Sequence, residues 1–290
     1  MNKLRKLWLA GLMSLITPGL GQLYNGEVRK AAILYLMPLA FVAPGCFIIA
    51  RAFSRYVIFG TFAIVAVYRI GVAVDAALQA RRLASSYVLR KYNRFYVYLL
   101  VFVCASVLNG IVAGFVKGSV LQAFKFPSRS MEPTLFIGDY VLADMTSSGR
   151  KPARGDLIVF EYPKDPDKDF LKRVVALPGD KVEVHDKVLL VNGEPQQEPY
   201  AIHTDKAIID AKETPRDNFG PLVVPVDSYF VMGDNRENSY DSRFWGPINW
   251  NKIRGKVIGI YWSWDAERRT PRWNRIGWHL GNDGRRQING

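Results

Sequence analysis

The distribution of apolar and polar positions changes character near residue 117. Before it, long uncharged apolar runs alternate with short basic stretches; after it, apolar residues come in short runs separated by turn residues. Residues 31–50 are twenty uncharged positions between Lys30 and Arg51, and residues 95–116 are twenty-two between Arg94 and Lys117. Each reaches the roughly 20 residues that a helix needs to cross a bilayer. A third candidate span, residues 57–78, contains Arg69 and Asp75. Both charges lie toward Arg81-Arg82, so they read as side chains reaching an interface; the alternative is an intramembrane polar site. Residues 8–24 are interrupted by Ser14, Pro18, Gly19 and Gly21, and an interfacial or re-entrant segment suits them better than a span.

Beyond Lys117 the dipeptide Gly-Asp punctuates the chain ahead of apolar runs: Gly138-Asp139 before Tyr140-Val141-Leu142, Gly155-Asp156 before Leu157-Ile158-Val159-Phe160, Gly179-Asp180 before Lys181-Val182-Glu183-Val184. Val188-Leu189-Leu190-Val191 ends at Asn192-Gly193, a tight-turn signal. Tyr229-Phe230-Val231-Met232 and Lys256-Val257-Ile258-Gly259-Ile260-Tyr261-Trp262 are further strand candidates. No helical period is sustained here, so the pattern predicts N-terminal transmembrane α-helices followed by an all-β domain. The expected organisation is a membrane-associated region 1–95 (spans 31–50 and 57–78, undecided segment 8–24), a transmembrane helix 96–117, a β-rich domain 118–265 and a basic C-terminal tail 266–290.

Charge sharpens this division. The net charge is +13 over 290 residues, which would suit a nucleic-acid binder if it were spread over the β-rich part. Residues 1–117 carry +12 of it, with 14 Lys/Arg against Glu27 and Asp75. The excess therefore reads as an orientation signal and attraction to lipid headgroups, with the bilayer as partner and no nucleic acid. The loop 80–94 holds Arg81, Arg82, Arg90, Lys91 and Arg94 and should be cytoplasmic; Arg51 and Arg55 count against this but are fewer. The helix that follows then delivers everything after Lys117 to the far side of the membrane. Cys46 and Cys104 both fall in apolar segments, leaving the β-rich part without a disulfide framework.

Candidate chemistry concentrates at Pro127-Ser128-Arg129-Ser130-Met131-Glu132-Pro133-Thr134-Leu135. A serine is a poor nucleophile until a base takes its proton, and His185, His203 and His279 are in no recognisable catalytic setting. Lys172 is the alternative base. On a strand it shares a face with Phe170, Val174 and Ala176, whose apolar surroundings disfavour its charged form. An ordinary lysine would instead snorkel to solvent, and an ordinary serine would cap a turn. Arg173 faces the other way and suits pairing with Asp234 or Asp241. Ser128, two residues before Ser130 on an extended segment, would share its face.

Three blocks occur in order: Ser-x-Ser-Met-x-Pro-Thr-Leu, then Lys172-Arg173-Val174-Val175-Ala176-Leu177-Pro178-Gly179-Asp180, then Gly233-Asp234-Asn235-Arg236-Glu237-Asn238-Ser239-Tyr240-Asp241-Ser242-Arg243-Phe244-Trp245-Gly246. Together they resemble the bacterial signal peptidase I family, over roughly residues 96 to 275. The resemblance implies a membrane serine endopeptidase of the inner membrane with its catalytic domain outside the cytoplasm. It implies Ser130 as nucleophile, Lys172 as base, Ser128 as oxyanion donor and Ser239 as the residue that orients the lysine. Asp234, Arg236, Asp241 and Arg243 would fix the supporting loop. Glu237 stands where the family commonly has Asp. The implied substrates are the signal peptides of preproteins, with small residues at the first and third positions before the cut. No cofactor and no metal are expected. Alternatives are a narrow-specificity relative, a LexA-like self-cleaving peptidase or a non-catalytic scaffold that binds signal peptides. The run Thr17-Pro18-Gly19-Leu20-Gly21-Gln22-Leu23-Tyr24-Asn25-Gly26 separately resembles a short motif of small membrane domains. Trp245, Trp250, Trp262 and Trp264 read as core or as a lipid-dipping rim, and the tail's basic and aromatic residues as a lipid contact or a solvated helix. Oligomeric state is not legible.

Overall fold

The computed structural model describes residues 5–83, 87–88, 90–146 and 148–280. The chain divides into two compact units, one made by the residues up to Arg51 and by Tyr56–Val116, the other by Ala52–Arg55 and everything from Lys117.

The first unit is helical: α1 (Leu7–Ile16), α2 (Leu20–Tyr24), α3 (Val28–Ala40), α4 (Val42–Arg51), α5 (Arg55–Leu83) and α6 (Phe95–Ser119). Among the described residues, Val28–Arg51, Arg55–Leu83 and Phe95–Ser119 are long and apolar enough to cross a membrane. Their apolar side chains are largely exposed, as for Phe62, Ile64, Phe95 and Ile111, which is the surface a helix presents to lipid rather than to water. The interruption at residues 17–19 separates α1 from α2. Gly19 has φ +92°, and a Cβ there would stand 2.3 Å from the Ala31 carbonyl oxygen, so the turn and the close approach to α3 both require glycine. Asp75 is engaged on both oxygens: Gln22 Nε2 donates to one at 2.9 Å and Lys30 Nζ to the other at 2.7 Å. Arg69 donates to the Ile16 carbonyl at 3.1 Å. The two charges expected to reach an interface are thus also tied to α1, α2 and α3, contacts separated by 45 or more residues that no local pattern announces.

The second unit is an antiparallel β structure: β1 (Leu121–Lys125), β2 (Asp139–Asp144), β3 (Leu157–Tyr162), β4 (Asp165–Ala176), β5 (Lys181–His185), β6 (Val188–Val191), β7 (Glu194–Pro195), β8 (Phe219–Val223), β9 (Ser228–Met232), β10 (Ile248–Asn249), β11 (Ile253–Asp265), β12 (Thr270–Pro271) and β13 (Trp278–His279), with a one-turn helix α7 (Ser242–Trp245) before β10. The main sheet runs β1-β2-β11-β3-β4-β9-β10, and a smaller sheet runs β7-β6-β5-β8. Strand β3 is buried on both faces. Leu157 and Val159 join Val141, Ala143, Leu171 and Ile260 in one core, while Ile158 and Phe160 join Val174, Val231 and Ile248 in another. The continuous apolar run at 157–160 is what a strand between two layers demands.

The β unit continues past residue 265. β12 and β13 pair with β11, and Arg275 is buried between the rings of Phe136 and Trp278, 4.5 and 4.4 Å from their centroids, while donating to Asp139 at 2.5 Å. The basic–aromatic stretch is therefore part of the domain up to residue 280, neither a detached tail nor a solvated helix. The Arg275 charge is used inward, in a cation–π and carboxylate clamp, while Arg268 and Arg269 stay exposed. Trp245 packs on Phe160, whereas Trp250 and Trp264 are exposed.

Candidate active site

Ser130 follows β1 in a turn anchored by two apolar side chains, Met131 and Leu135, both buried in the core. Their burial fixes the turn to the sheet and leaves Ser130 only 5% exposed. Lys172 sits on β4 opposite Ile158 of β3. From these two elements, 42 residues apart, Lys172 Nζ and Ser130 Oγ meet at 2.7 Å. Lys172 is 4% exposed, with Phe170 on its flank, its ring centroid 5.7 Å from the amine. No carboxylate pairs with it among the described residues. Burial pulls its pKa down to about 8, opposed by the more distant charges of Asp241 and Asp234. A minor but usable fraction of the amine is thus neutral near physiological pH, as a base requires.

Arg173, the next residue, is treated in the opposite way. Its guanidinium donates to Asp234 through Nε at 2.8 Å and Nη2 at 2.6 Å, and to the Gly155 carbonyl at 2.7 Å. Asp234 also accepts from Thr134 Oγ1 at 2.5 Å, so the ion pair joins the nucleophile turn to β4 and to the 233–246 loop. Asp241 accepts from Arg243 Nε at 2.9 Å and from the Gly233 amide at 3.0 Å. Burial pushes the Asp241 carboxyl up, but Arg243 and that amide hold it below its ordinary value. Arg236 is bidentate on Glu198, at 2.5 and 2.7 Å. The four charged residues read from the sequence as loop-fixing all lie in these pairs.

The loop closes on Ser130 through backbone. The Asn235 amide donates to the Ser130 carbonyl at 3.1 Å. A Cβ on Gly233 would lie 2.2 Å from Ser239 Oγ and 2.5 Å from the Ser130 oxygen, so only glycine fits between them. Ser239 is buried next to Ser130; its hydroxyl makes no close hydrogen bond in good geometry, but it lies near enough to the Asp241 carboxylate to help hold that group down. It makes no bond to Lys172 in this state. Ser128 is exposed on the same segment, and its hydroxyl accepts from the Ser130 amide at 3.2 Å. Ser128, the oxyanion donor that the resemblance implies, is therefore bonded to the backbone of Ser130. Glu237 reaches Lys187 and His203, each at 2.8 Å, and these offset its burial and hold it at about 2.

Beside the pair opens a cavity of about 380 Å³, lined mainly by Phe126, Pro127, Met131, Leu135, Phe170 and Leu171, with Ser128, Ser130 and Lys172 at its wall. It is an apolar slot next to an activated hydroxyl, suited to side chains of an extended peptide. Sequence reasoning missed Thr134, Asn235 and Gly233 as parts of the site. All three lie inside the motif blocks, but their roles depend on contacts about 100 residues away. Glu198, the partner of Arg236, lies outside every block and carried no signal.

Residues 97–262 match the family model described as signal peptidase, peptidase S26. A signal peptidase I of Aquifex aeolicus is 34% identical, over 54% of this chain and 82% of its own length. One from Leptolyngbya laminosa is 37% identical, over 53% of this chain and 75% of its own. A solved signal peptidase I from Enterococcus faecalis is 32% identical and covers 37% of this chain and 96% of its own, with a TM-score of 0.31.

Proposed function

The chain belongs to the signal peptidase family, peptidase S26, and from that premise we propose that Ser130 and Lys172 are the catalytic pair with which it removes signal peptides from preproteins. It is a serine endopeptidase built on apolar helices. In the proposed cycle neutral Lys172 takes the Ser130 hydroxyl proton as Oγ attacks the scissile carbonyl. The oxyanion that forms replaces Ser128 Oγ as acceptor of the Ser130 amide, and the freed Ser128 hydroxyl turns to donate to the same oxygen. The Lys172 ammonium then protonates the leaving amine, releasing the mature chain and leaving an ester on Ser130. Lys172, neutral again, deprotonates the water that hydrolyses the ester.

The observation that carries this reading is the buried 2.7 Å contact between Ser130 Oγ and an amine whose pKa falls to about 8. The apolar cavity beside it supports binding of the residues before the cut, with small side chains at the first and third positions. The basic loop before α6 supports an orientation with the β unit outside the cytoplasm of a bacterial cell. We take residues 1–95 to be membrane-associated, and the β unit, from 118 on, to be catalytic.

The test is cleavage of a preprotein bearing an Ala-x-Ala site by full-length protein in detergent, against Ser130→Ala and Lys172→Ala. Loss of cleavage in both, with folding retained, is the expected result. Normal cleavage by either variant would remove the pair from the mechanism.

A further inference from the structure

Two cavities of the helical unit meet at Val28. One, of about 480 Å³, is lined by Gly26, Glu27, Val28, Arg29, Lys30 and Arg90. The other, of about 410 Å³, is almost wholly apolar, its walls including Leu20, Ala32, Tyr35, Leu100, Ala105 and again Val28. Both fall in the size range of small-molecule sites. A basic chamber sharing a wall residue with an apolar one, in a unit of spanning helices, has the amphipathic profile of a phospholipid. We propose that the unit binds one anionic phospholipid here, its phosphate between Arg29 and Arg90 and one acyl chain in the apolar cavity.

Charge complementarity selects the occupant. Lys30 is shared between Asp75, at 2.7 Å, and Glu27, at 3.6 Å, the latter being a carboxylate that lines the chamber. Arg29 and Arg90 have no acidic partner among the described residues, and with Lys30 they outnumber those two carboxylates three to two, which leaves the chamber net positive. The wall carrying Arg90 is fixed rather than loose. Tyr92 donates to the Gly26 carbonyl at 3.0 Å, and Asn93 Oδ1 accepts from the Arg90 amide at 2.9 Å and from Tyr87 at 2.7 Å. Tyr35, on the apolar side, donates to the Ala105 carbonyl at 2.8 Å, pinning α3 to α6 and keeping that cavity open between them. A zwitterionic lipid would bring its own cation to the arginines, and a free phosphate would leave the apolar chamber unfilled.

The experiment is native mass spectrometry of the full chain in a nonionic detergent, titrated separately with palmitoyl-oleoyl phosphatidylglycerol, the matching phosphatidylcholine and glycerol 3-phosphate. One phosphatidylglycerol should bind well before any phosphatidylcholine. With each arginine contributing about fivefold near a membrane surface, the double variant Arg29→Gln/Arg90→Gln should weaken phosphatidylglycerol about 25-fold and phosphatidylcholine little. Ala32→Phe, at an exposed position, keeps every charge but fills the apolar cavity, and should weaken both lipids. Equal binding of the two lipids by the unaltered chain, unchanged binding by either variant, or glycerol 3-phosphate binding as tightly as phosphatidylglycerol would each overturn the proposal. The readout is lipid retention, so it stands apart from the peptidase reading.

Discussion

Adjacent residues on β4 hold buried cations in opposite electrostatic surroundings. Lys172 faces a neutral hydroxyl and apolar side chains, while Arg173 is locked to Asp234 and, through it, to Thr134. Both are almost fully buried, so burial alone does not decide what a charge does. An unpaired lysine responds to desolvation by losing its proton more easily. An arginine, protonated at any accessible pH, has to be paired, and its pairing makes it a fixed post. Lys172, the adjustable charge, thus sits inside a frame of three ion pairs, Arg173–Asp234, Arg236–Glu198 and Arg243–Asp241.

The sharpest way to break the comparison is to make each cation apolar. Lys172→Met should abolish cleavage, on the order of 10⁴-fold or more in kcat, as loss of a catalytic base does when nucleophile and base act as a unit. It should nevertheless stabilise the protein. The folded pKa of about 8 lies below the ordinary 10.5, so the unfolded chain binds the proton more tightly than the folded one. The resulting cost is full below pH 8, shrinks between pH 8 and 10.5, and is gone above. At 1.36 kcal/mol per pKa unit it amounts to about 3 kcal/mol. Melting of wild type and variant from pH 6 to 10 should show the variant ahead at low pH and the two converging as pH rises. Cleavage by the wild type should climb through the same window.

Arg173→Met should do the reverse. It strands the Asp234 carboxylate in a dry site, and removing one partner of a buried pair costs about 3–5 kcal/mol. The melting temperature should fall sharply, and any residual cleavage should keep its pH dependence, since the base is untouched. A variant as stable as the wild type would mean that the pair is not a fixed post.

Ser128→Ala separates chemistry from frame. Its hydroxyl touches only the Ser130 amide and is exposed, so stability should change by less than about 0.5 kcal/mol. Loss of one oxyanion donor should lower kcat by about 10²–10³-fold with KM little altered. A fall in KM-linked binding without a fall in kcat would make Ser128 a substrate-positioning residue only.

Much of this was legible before any coordinates. Short apolar runs between turn signals, with no sustained helical period, gave the β domain, and the spacing of hydroxyls and lysine within recognisable blocks pointed to the pair. The frame was legible only by half. Asp234, Asp241 and Arg243 sit in one block and could be guessed to pair, but Arg236 takes Glu198, and Arg275 closes on Asp139 from 136 residues away. Ion pairs have no periodicity, so nothing in the local pattern names a distant partner. The same holds in the helices, where Gln22 and Lys30 meet Asp75. A carboxylate at Asp75 within an apolar stretch was visible in the sequence, and its partners were not.

Ser239 is the finest test of the division between adjustable site and fixed frame, because it belongs to the loop of the frame and lies beside the nucleophile. Its hydroxyl is buried and makes only a loose contact, with the Asp241 carboxylate. Removing it should therefore change the melting temperature little. If Ser239 were only a loop residue, Ser239→Ala would also leave cleavage unchanged. We expect otherwise, because Lys172 becomes an ammonium after taking the Ser130 proton and then has hydrogens to donate that the resting contact does not use. A hydrogen bond to a charged group is worth about 1.5–3 kcal/mol, so formation of that bond during turnover predicts a loss of roughly 10- to 100-fold in kcat. KM should hold, and the pH at which activity rises should move down, since the ammonium loses a stabilising acceptor. Ser239→Thr, which retains the hydroxyl, should recover part of the rate. Equal rates for the alanine and wild-type proteins would assign Ser239 to the frame and leave Lys172 oriented by its apolar walls alone.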